Sequence, residues 1–357
     1  MNPKITILMA VYNGEKFLRE AVESILHQTF TDFELLIIND ASTDKSMEIL
    51  SSYEDPRIRI INNEKNLGLT KSLNKGLSFA KSNYIARMDA DDISYPERLE
   101  IQYHYMEDNI DVDIVGSWIE TIDENGNTIN VGKNPHSSEE IYYILNFRNC
   151  LTHSSIMFRK DIIVGNGSYN ETLYNAQDYE LWHRISKVSR IYQIQRVLVK
   201  WRMHDNLTDS NKKRRQEYTV GFVVKNNFEH LINKKIDSNI CDIIKANFEA
   251  SYSSDFKPYN SEELFSSVTI FSEVNKRIIE VAPQTLNKQT VKKIGDKVLR
   301  NYVIKASINI EPQRLKYCIS KCINYNIILK MMIAAHIAYK KLKYNYYLLD
   351  EDINAKN

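Results

Sequence analysis

The stretch YIARMDADD, residues 84–92, is the most informative part of the chain, because a short β-type run ends there abruptly in three carboxylates. Residues i and i+2 of an extended chain point to the same side, so Asp89 and Asp91 can converge on one object. Acids packed this closely repel one another unless a cation sits between them, and an all-oxygen cluster suits Mg²⁺ or Mn²⁺ rather than zinc. The alternative for a lone D-x-D tripeptide is a solvated acidic turn.

The first 90 residues alternate short apolar runs with amphipathic segments, as strands and helices do. Near-continuous apolar strands between helices predict a parallel sheet that is covered on both faces. Ligands bind such sheets beyond the carboxyl ends of the strands, where Asp40 and Asp89 both lie. We therefore expect these two acids to line one cleft. The turn after the first strand, Tyr12-Asn13-Gly14, carries neither a dinucleotide fingerprint nor a P-loop.

The pattern changes from Val112 onward, where longer strands are predicted at residues 112–122, 154–158 and 191–201. A helix is predicted to begin near Gln177-Asp178, between the last two strands. Beyond about Ser210 the strands stop, and the remainder is predicted to be helical.

The composition is that of an ordinary globular protein with two domains: 357 residues, of which 43% are hydrophobic and 26% charged. The net charge of +1 hides an asymmetry, since residues 288–343 hold 13 Lys/Arg and two acids. Ile328, Met331, Met332, Ala335 and Tyr339 would form one apolar stripe on a helix there. An apolar stripe beside lysines predicts a helix lying on an anionic membrane surface; packing on the protein's own helical domain is the alternative.

The four cysteines form no C-x-x-C pattern, which predicts buried free thiols in a reducing cytoplasm. Residues 1–4 lead directly into a strand, so no signal peptide is predicted. No run reaches the roughly 18 apolar residues of a membrane span. We expect a cytoplasmic protein that is peripheral on the inner membrane face if its basic region binds lipid.

Residues 4 to about 210 resemble the family 2 glycosyltransferases with a GT-A fold. The matching segments, in order, are ITILMAVYNGEKFLREAVESILHQTF, ELLIINDASTD, NEKNLGLTKSLNKGL, YIARMDADDISYPERL, THSSIMFRK, AQDYELWHRI and WRMHDNLTDS. The resemblance implies an α/β fold with a Rossmann-like, mostly parallel sheet flanked by helices. It implies a GT-A catalytic domain at residues 1–210, divided into a nucleotide-sugar half (about 1–92) and an acceptor half (93–210). Residues 211–357 would form a mainly helical C-terminal domain.

The layout is similar to that of bacterial lipooligosaccharide and capsule glycosyltransferases, including β-1,3-N-acetylglucosaminyltransferases. This resemblance implies an inverting, metal-dependent transferase that moves a hexose or N-acetylhexosamine. The implied partners are a UDP-sugar donor and a glycan or lipid-linked oligosaccharide acceptor, with no nucleic acid. The sequence does not choose between glucose, galactose and their N-acetylamino forms.

The resemblance also assigns donor-side residues. Asp40 would accept a hydrogen bond from uracil N3–H, with the Ala10-Val11-Tyr12 backbone as the facing wall; a turn acid or helix cap is the alternative for Asp40. Asp91 would bind the metal directly, and Asp89 would serve the ribose or the outer coordination of the metal. The remaining donor-side candidates are His204 and Arg87. His204 matches a histidine that stands late in the family's sequences and approaches the metal or the diphosphate. Arg87 either pairs with neighbouring acids or contacts phosphate.

Asp178 matches the acid of the family's Glu-Asp motif and is the predicted general base. Gln177 stands where the family has Glu, and it can still bind a sugar hydroxyl. His153 and Trp182 are predicted to shape the acceptor side, with the protein core as the alternative for Trp182. Two other functions remain open. A nucleotidyltransferase would usually need a Gly-rich basic loop after the first strand. In a non-catalytic sugar-binding protein, other residue types would be expected at the acidic positions.

Overall fold

The computed structural model describes residues 2–203, 210–250 and 261–307. His204 and the predicted apolar stripe near residues 328–339 lie outside these ranges. The strands are β1 Ile5–Val11, β2 Phe33–Asn39, β3 Ile58–Asn62, β4 Tyr84–Asp89, β5 Ile93–Ser94, β6 Val112–Ile122, β7 Thr128–Gly132, β8 Met157–Arg159 and β9 Arg190–Arg202. The helices are α1 Leu18–Leu26, α2 Ser46–Ser51, α3 Leu69–Phe79, α4 Arg98–Asp108, α5 Ser138–Leu145, α6 Lys160–Gly165, α7 Gln177–Ile185, α8 Ser210–Ile232, α9 Ser238–Ala250, α10 Ser261–Glu280 and α11 Lys288–Ser307.

The strands of the described ranges form one sheet in the order β3-β2-β1-β4-β8-β6-β9-β5, with β7 also paired to β6. The neighbours β1/β2, β1/β4, β2/β3 and β6/β9 are parallel, whereas β8 runs antiparallel to both β4 and β6. Every residue of β2 is buried, as expected for a strand covered on both faces. The mostly parallel sheet flanked by helices is therefore confirmed.

Strand register brings the predicted acids to one edge of this sheet. Ala10 of β1 is opposite Asp89 of β4, and Val11 is opposite Asn39, the last residue of β2. Asp40 follows immediately after that residue. Because the carboxyl ends of parallel strands meet at one edge, Asp40 and Asp89 lie on either side of the end of β1.

Helical periodicity explains how the flanking helices pack. Helix α1 buries Leu18, Ala21, Val22 and Ile25, which follow the i, i+3, i+4, i+7 pattern of one helix face. On α3 the buried Gly76 permits a close approach to β1, since a Cβ atom at this position would lie 2.2 Å from Leu8 Cδ1.

The predicted strand at residues 154–158 is only partly correct. A 3-10 turn spans His153–Ser155, and β8 begins at Met157. Both serines form side-chain hydrogen bonds that compete with strand pairing: Ser155 Oγ donates to the Thr152 carbonyl, and Ser154 Oγ donates to Asp89.

The described residues divide into two compact units, of which the second contains residues 224–250, 261–282 and 288–307 and is mainly helical over these ranges. In this unit Phe271 and Tyr302 stack with ring centroids 4.4 Å apart. Within the described ranges, every helix is too short or too polar to cross a membrane. Cys150 of the first unit and Cys241 of the second are buried free thiols, as predicted; the other two cysteines lie outside the described residues.

Candidate active site

A cleft of about 900 Å³ opens in the first unit at the carboxyl edge of the sheet. It gathers predicted site residues from five separate parts of the chain. Those that line it are Ala10, Val11, Tyr12, Asp40, Asp89, His153, Gln177 and Asp178. The rest of the lining consists of residues 66–72 and 171–176 together with Ile119, Thr121, Asn149, Leu151, Thr152 and Trp201.

Asp40 is buried and holds the loop that forms one wall of the cleft. Its Oδ1 accepts hydrogen bonds from Asn63 Nδ2 at 2.6 Å and from Leu67 N at 2.8 Å, and its Oδ2 accepts one from Gly68 N at 2.8 Å. Gly68 has φ 87°, a conformation that favours glycine. Asp40 therefore fixes the entry into α3.

Asp89 sits on the floor of the cleft with both carboxylate oxygens held. Arg87 forms an ion pair with Oδ1, and Ser154 Oγ donates to Oδ2 at 2.8 Å. Burial acts to raise the pKa of Asp89, but the positive charge of Arg87 and the hydrogen bonds outweigh it and lower the pKa. Asp89 is thus a fixed carboxylate at neutral pH.

Arg87 does not line the cleft, and the structure supports the alternative in which it pairs with a neighbouring acid. Its side chain is completely buried and donates to the backbone carbonyls of Leu8 and Met88 as well as to Asp89. Alternation along β4 explains this placement, because Arg87 and Asp89 lie on the same face of the strand. The pairing with a neighbouring acid is confirmed.

The acidic turn after β4 concentrates negative charge. Asp91 is half-buried, and Asp92 is buried with an Oδ2 that has no hydrogen-bond partner. Burial and the charges of Asp91 and Asp89 hold the pKa of Asp92 well above its usual value. No group of three or more His, Cys, Asp or Glu side chains within the described ranges could hold a metal by itself. The carboxylate oxygens of Asp89 and Asp91 are nonetheless hard donors of the kind that suits a divalent cation whose remaining ligands come from substrate and water.

Arg202 holds this acidic turn in place and was missed by sequence reasoning. Its backbone N–H donates to Asp92 Oδ1 at 2.8 Å, and its Nε donates to the Asp91 carbonyl at 2.9 Å. The guanidinium also pairs with Glu20 on α1. Arg202 is buried, so the turn is anchored from inside the protein.

Asp178 lies in the first turn of α7 and lines the cleft. Asn149 Nδ2 donates to Asp178 Oδ2 at 2.9 Å. Burial raises the pKa of Asp178, the charge of Asp89 raises it further, and the bonds from the Tyr179 N–H and from Asn149 only partly oppose this. Ala176, just before the helix, has φ 55°, a left-handed conformation that costs about 1–2 kcal/mol for alanine. A carboxylate with a raised pKa is suited to accept a proton.

His153, which lines the cleft, forms a buried pair with Tyr169. His153 Nε2 and Tyr169 Oη are 2.8 Å apart. Burial and the charge of Arg87 lower the pKa of His153 to about 3, so the imidazole is neutral. The backbone of Tyr169 is tied to Asn74 of α3 by bonds of 2.9 and 3.0 Å.

Trp182 is a core residue, which supports the alternative to an acceptor-side role. The side chain has no exposed surface and packs against His153 and Phe158, with centroid distances of 5.9 and 6.3 Å. The helical spacing of Trp182 with Leu181 and Ile185, both buried, explains this position. The tryptophan that does line the cleft is Trp201, which sequence reasoning overlooked because it falls within a strand pattern.

Comparisons with known proteins identify the family of the chain. Residues 6–165 match the family model described as Glycosyl transferase family 2. The chain is 40% identical over 221 residues to an uncharacterized glycosyltransferase of Methanocaldococcus jannaschii, covering 60% of this chain and 76% of that protein. It is 38% identical over 214 residues to the O-antigen biosynthesis glycosyltransferase WbnJ of Escherichia coli, covering 58% and 82%.

Solved structures show the same fold. Staphylococcus aureus TarS, residues 1–349 in complex with UDP, superposes with a TM-score of 0.53 at 17% sequence identity, covering 85% of this chain and 91% of that one. This likeness concerns the fold, whereas the family follows from the sequence matches. The chain belongs to glycosyltransferase family 2 and is a transferase with the GT-A fold.

Proposed function

We propose that the chain transfers a hexose or N-acetylhexosamine from a UDP-sugar to a glycan or lipid-linked oligosaccharide acceptor, with inversion at the anomeric carbon. The observation that carries this proposal is that Asp40, Asp89 and Asp178 line one cleft. Asp40 on the donor wall, the fixed carboxylate of Asp89 on the floor, and Asp178 with its raised pKa thus face the same cleft. We propose residues 1–210 as the catalytic domain and 211–357 as an accessory helical domain.

The donor half of the cleft has the features that a nucleoside needs. Tyr12 is half-exposed, at 52%, at the end of β1, and the backbone of Ala10 and Val11 lies beside it. Asp40 Oδ2 carries one hydrogen bond from Gly68 in the structure, and a carboxylate oxygen can accept a second. The uracil N3–H is the donor that we assign to it.

Asp91, with Asp89 beside it, would hold Mg²⁺ or Mn²⁺, which when bound offsets the charge of the departing diphosphate. Arg202 and Ser154 position these two acids for that task. His204, assigned to the same region by the resemblance, lies outside the described residues and remains a prediction.

Asp178 is the proposed general base. It accepts the proton of the acceptor hydroxyl as that oxygen bonds to the anomeric carbon and the bond from this carbon to the diphosphate oxygen breaks, releasing UDP. Attack from the face opposite UDP converts an α-linked donor into a β-linked product. Assistance by a general base typically contributes about 10²–10⁴-fold in rate. Gln177, buried at the cleft wall, would bind a neighbouring sugar hydroxyl.

We place this reaction in the synthesis of a bacterial surface polysaccharide, with β-1,3-N-acetylhexosaminyl transfer as the favoured reaction. Two relatives support the setting: WbnJ is named for O-antigen biosynthesis, and AmsE of Erwinia amylovora, 34% identical over 218 residues, for amylovoran biosynthesis. TarS has also been crystallised with UDP-GlcNAc, which is consistent with a donor of this type.

The deciding experiment measures UDP release from a panel of UDP-sugars with Mn²⁺, with and without glycan acceptors. We expect acceptor-dependent UDP release with one donor. A nucleotidyltransferase would instead release pyrophosphate from a nucleoside triphosphate, and a non-catalytic sugar-binding protein would release neither. The first alternative is disfavoured because Tyr12-Asn13-Gly14 offers no basic phosphate loop, and the second because Asp40, Asp89, Asp91 and Asp178 are all present.

The anomeric configuration of the product tests the mechanism separately. The one-bond coupling of the new anomeric proton, measured by NMR, should report a β linkage from an α-linked donor. An α linkage would exclude a single displacement assisted by Asp178.

A further inference from the structure

Trp201 presents an indole ring to the cleft and has no role in the proposal above. Its side chain is 36% exposed and lines the cleft together with Ile119 and Thr121. The other tryptophans do not reach the cleft. Trp182 is buried in the core, and Trp118 donates its Nε1–H to the Asn134 carbonyl at 3.1 Å.

The strand order places Trp201 on the acceptor side. It lies on β9, opposite Thr121 of β6 in the parallel ladder. The donor wall follows β1 and β2, and in the sheet these strands are separated from β6 and β9 by β4 and β8. Asp89, at the end of β4, therefore lies between the nucleotide wall and Trp201.

The backbone beneath Trp201 is rigidly held, because the next residue is the buried Arg202. Arg202 bonds to Asp92 through its backbone N–H and to the Asp91 carbonyl through its side chain. A ring fixed in this way loses little conformational freedom when a ligand covers it. Buried polar anchors below an exposed aromatic ring are an arrangement suited to binding rather than to core packing.

We infer that Trp201 is the platform on which the acceptor sugar stacks, and that it selects a pyranose whose equatorial hydroxyls leave one face lined with C–H groups. Such a face is apolar and flat, so it covers the indole ring, while its hydroxyls point sideways. Asn149 and Gln177 line the same cleft and can pair with those hydroxyls. This inference rests on the proposed function, since it supplies the acceptor subsite of that reaction.

Steady-state kinetics with the acceptor as the varied substrate provide the first test. In Trp201→Ala the acceptor KM should rise about tenfold or more, with the Kd of UDP, measured by titration calorimetry, within twofold of wild type. Trp201→Phe should recover part of the loss, because it keeps a ring. Trp118→Phe, a tryptophan outside the cleft, is the matched control. An unchanged acceptor KM in Trp201→Ala overturns the inference, and so does a loss confined to UDP affinity.

Intrinsic fluorescence gives a second test that does not depend on turnover. The chain has three tryptophans, and we expect lactose, N-acetyllactosamine or cellobiose to change the emission of the wild type and of Trp118→Phe but not of Trp201→Phe. A response that survives Trp201→Phe, or no response to any of these sugars, contradicts the inference. Failure of UDP release with every donor would instead contradict the proposed function, since binding is measured here without a donor.

Discussion

Asn149 Nδ2 donates a hydrogen bond of 2.9 Å to Asp178 Oδ2, joining a loop residue to the first turn of α7 across 29 positions of sequence. This bond stabilises the charged form of Asp178 and so lowers its pKa. It opposes two effects that raise the pKa of Asp178, namely its burial and the negative charge of Asp89. The pKa of the proposed base therefore depends on opposing effects of neighbouring groups, and mutagenesis can remove these groups one at a time.

Removing that bond should shift the pH dependence of the reaction. Asp178 acts as a base only when it is deprotonated, so kcat/KM falls as the pH drops through its raised pKa. In Asn149→Ala the pKa should rise further, and the acid limb of the pH–rate profile should move to higher pH. Asn125→Ala, in the exposed turn before β7, should leave the limb in place. An unshifted limb in Asn149→Ala would show that this bond does not tune the base.

Chelation should abolish transfer. Because Asp91 is the proposed direct ligand, EDTA should remove activity, and Mn²⁺ or Mg²⁺ should restore it. Asp91→Asn should lose about 10²-fold or more in kcat while retaining the far-UV spectrum and melting temperature of a folded chain. The control is Asp108→Asn, at the exposed end of α4. Full activity of wild type in EDTA, or of Asp91→Asn with metal, would remove the metal from the mechanism.

Asp40→Asn should loosen the donor wall. The amide has one acceptor oxygen, so its NH₂ group must face either the N–H of Gly68 or the N–H donors of Asn63 and Leu67. An unsatisfied or opposed buried donor costs about 1–3 kcal/mol. We expect weaker UDP binding by calorimetry and faster amide exchange at Leu67 and Gly68. Wild-type exchange rates at these two amides would show that Asp40 does not hold the loop.

Trp182→Ala should destabilise the fold rather than weaken acceptor binding selectively. Loss of a buried tryptophan leaves a cavity, which typically costs about 3–5 kcal/mol. Urea unfolding measures this cost, and Trp201→Ala is the comparison, because its ring is partly exposed and should affect stability far less. A Trp182→Ala chain as stable as wild type would contradict its assignment to the core.

The structural features that depend on local periodicity and on the positions of strand ends were predictable from the sequence. Asp40 and Asp89 share an edge because Asp89 ends β4 and Asp40 directly follows β2, and both strands are parallel to β1. Interactions between distant segments were not predictable: the bond from Arg202 to Asp92 spans 110 positions, and that from Ser154 to Asp89 spans 65. Exposure of Trp201 also escaped prediction, because register shifts between β6 and β9 interrupt simple alternation.

The basic C-terminal region carries a prediction that the described residues do not test. If its apolar stripe lies on a membrane, the full chain should sediment with phosphatidylglycerol vesicles at low salt and less at high salt. Combined replacement of Lys340→Glu, Lys341→Glu and Lys343→Glu should weaken this binding. Recovery of the wild-type chain in the supernatant at both salt concentrations would favour packing within the protein.

The most direct test of the account is the kinetics of Asp178→Asn. The variant keeps the shape of the side chain and its position at the start of α7 but cannot accept the proton of the acceptor. We predict that kcat for transfer falls by about 10²-fold or more, that the Kd of UDP is unchanged by calorimetry, and that the exposed Asp161→Asn behaves as wild type. Transfer by Asp178→Asn at the wild-type rate would contradict the assignment of the base and, with it, the proposed chemistry of the cleft.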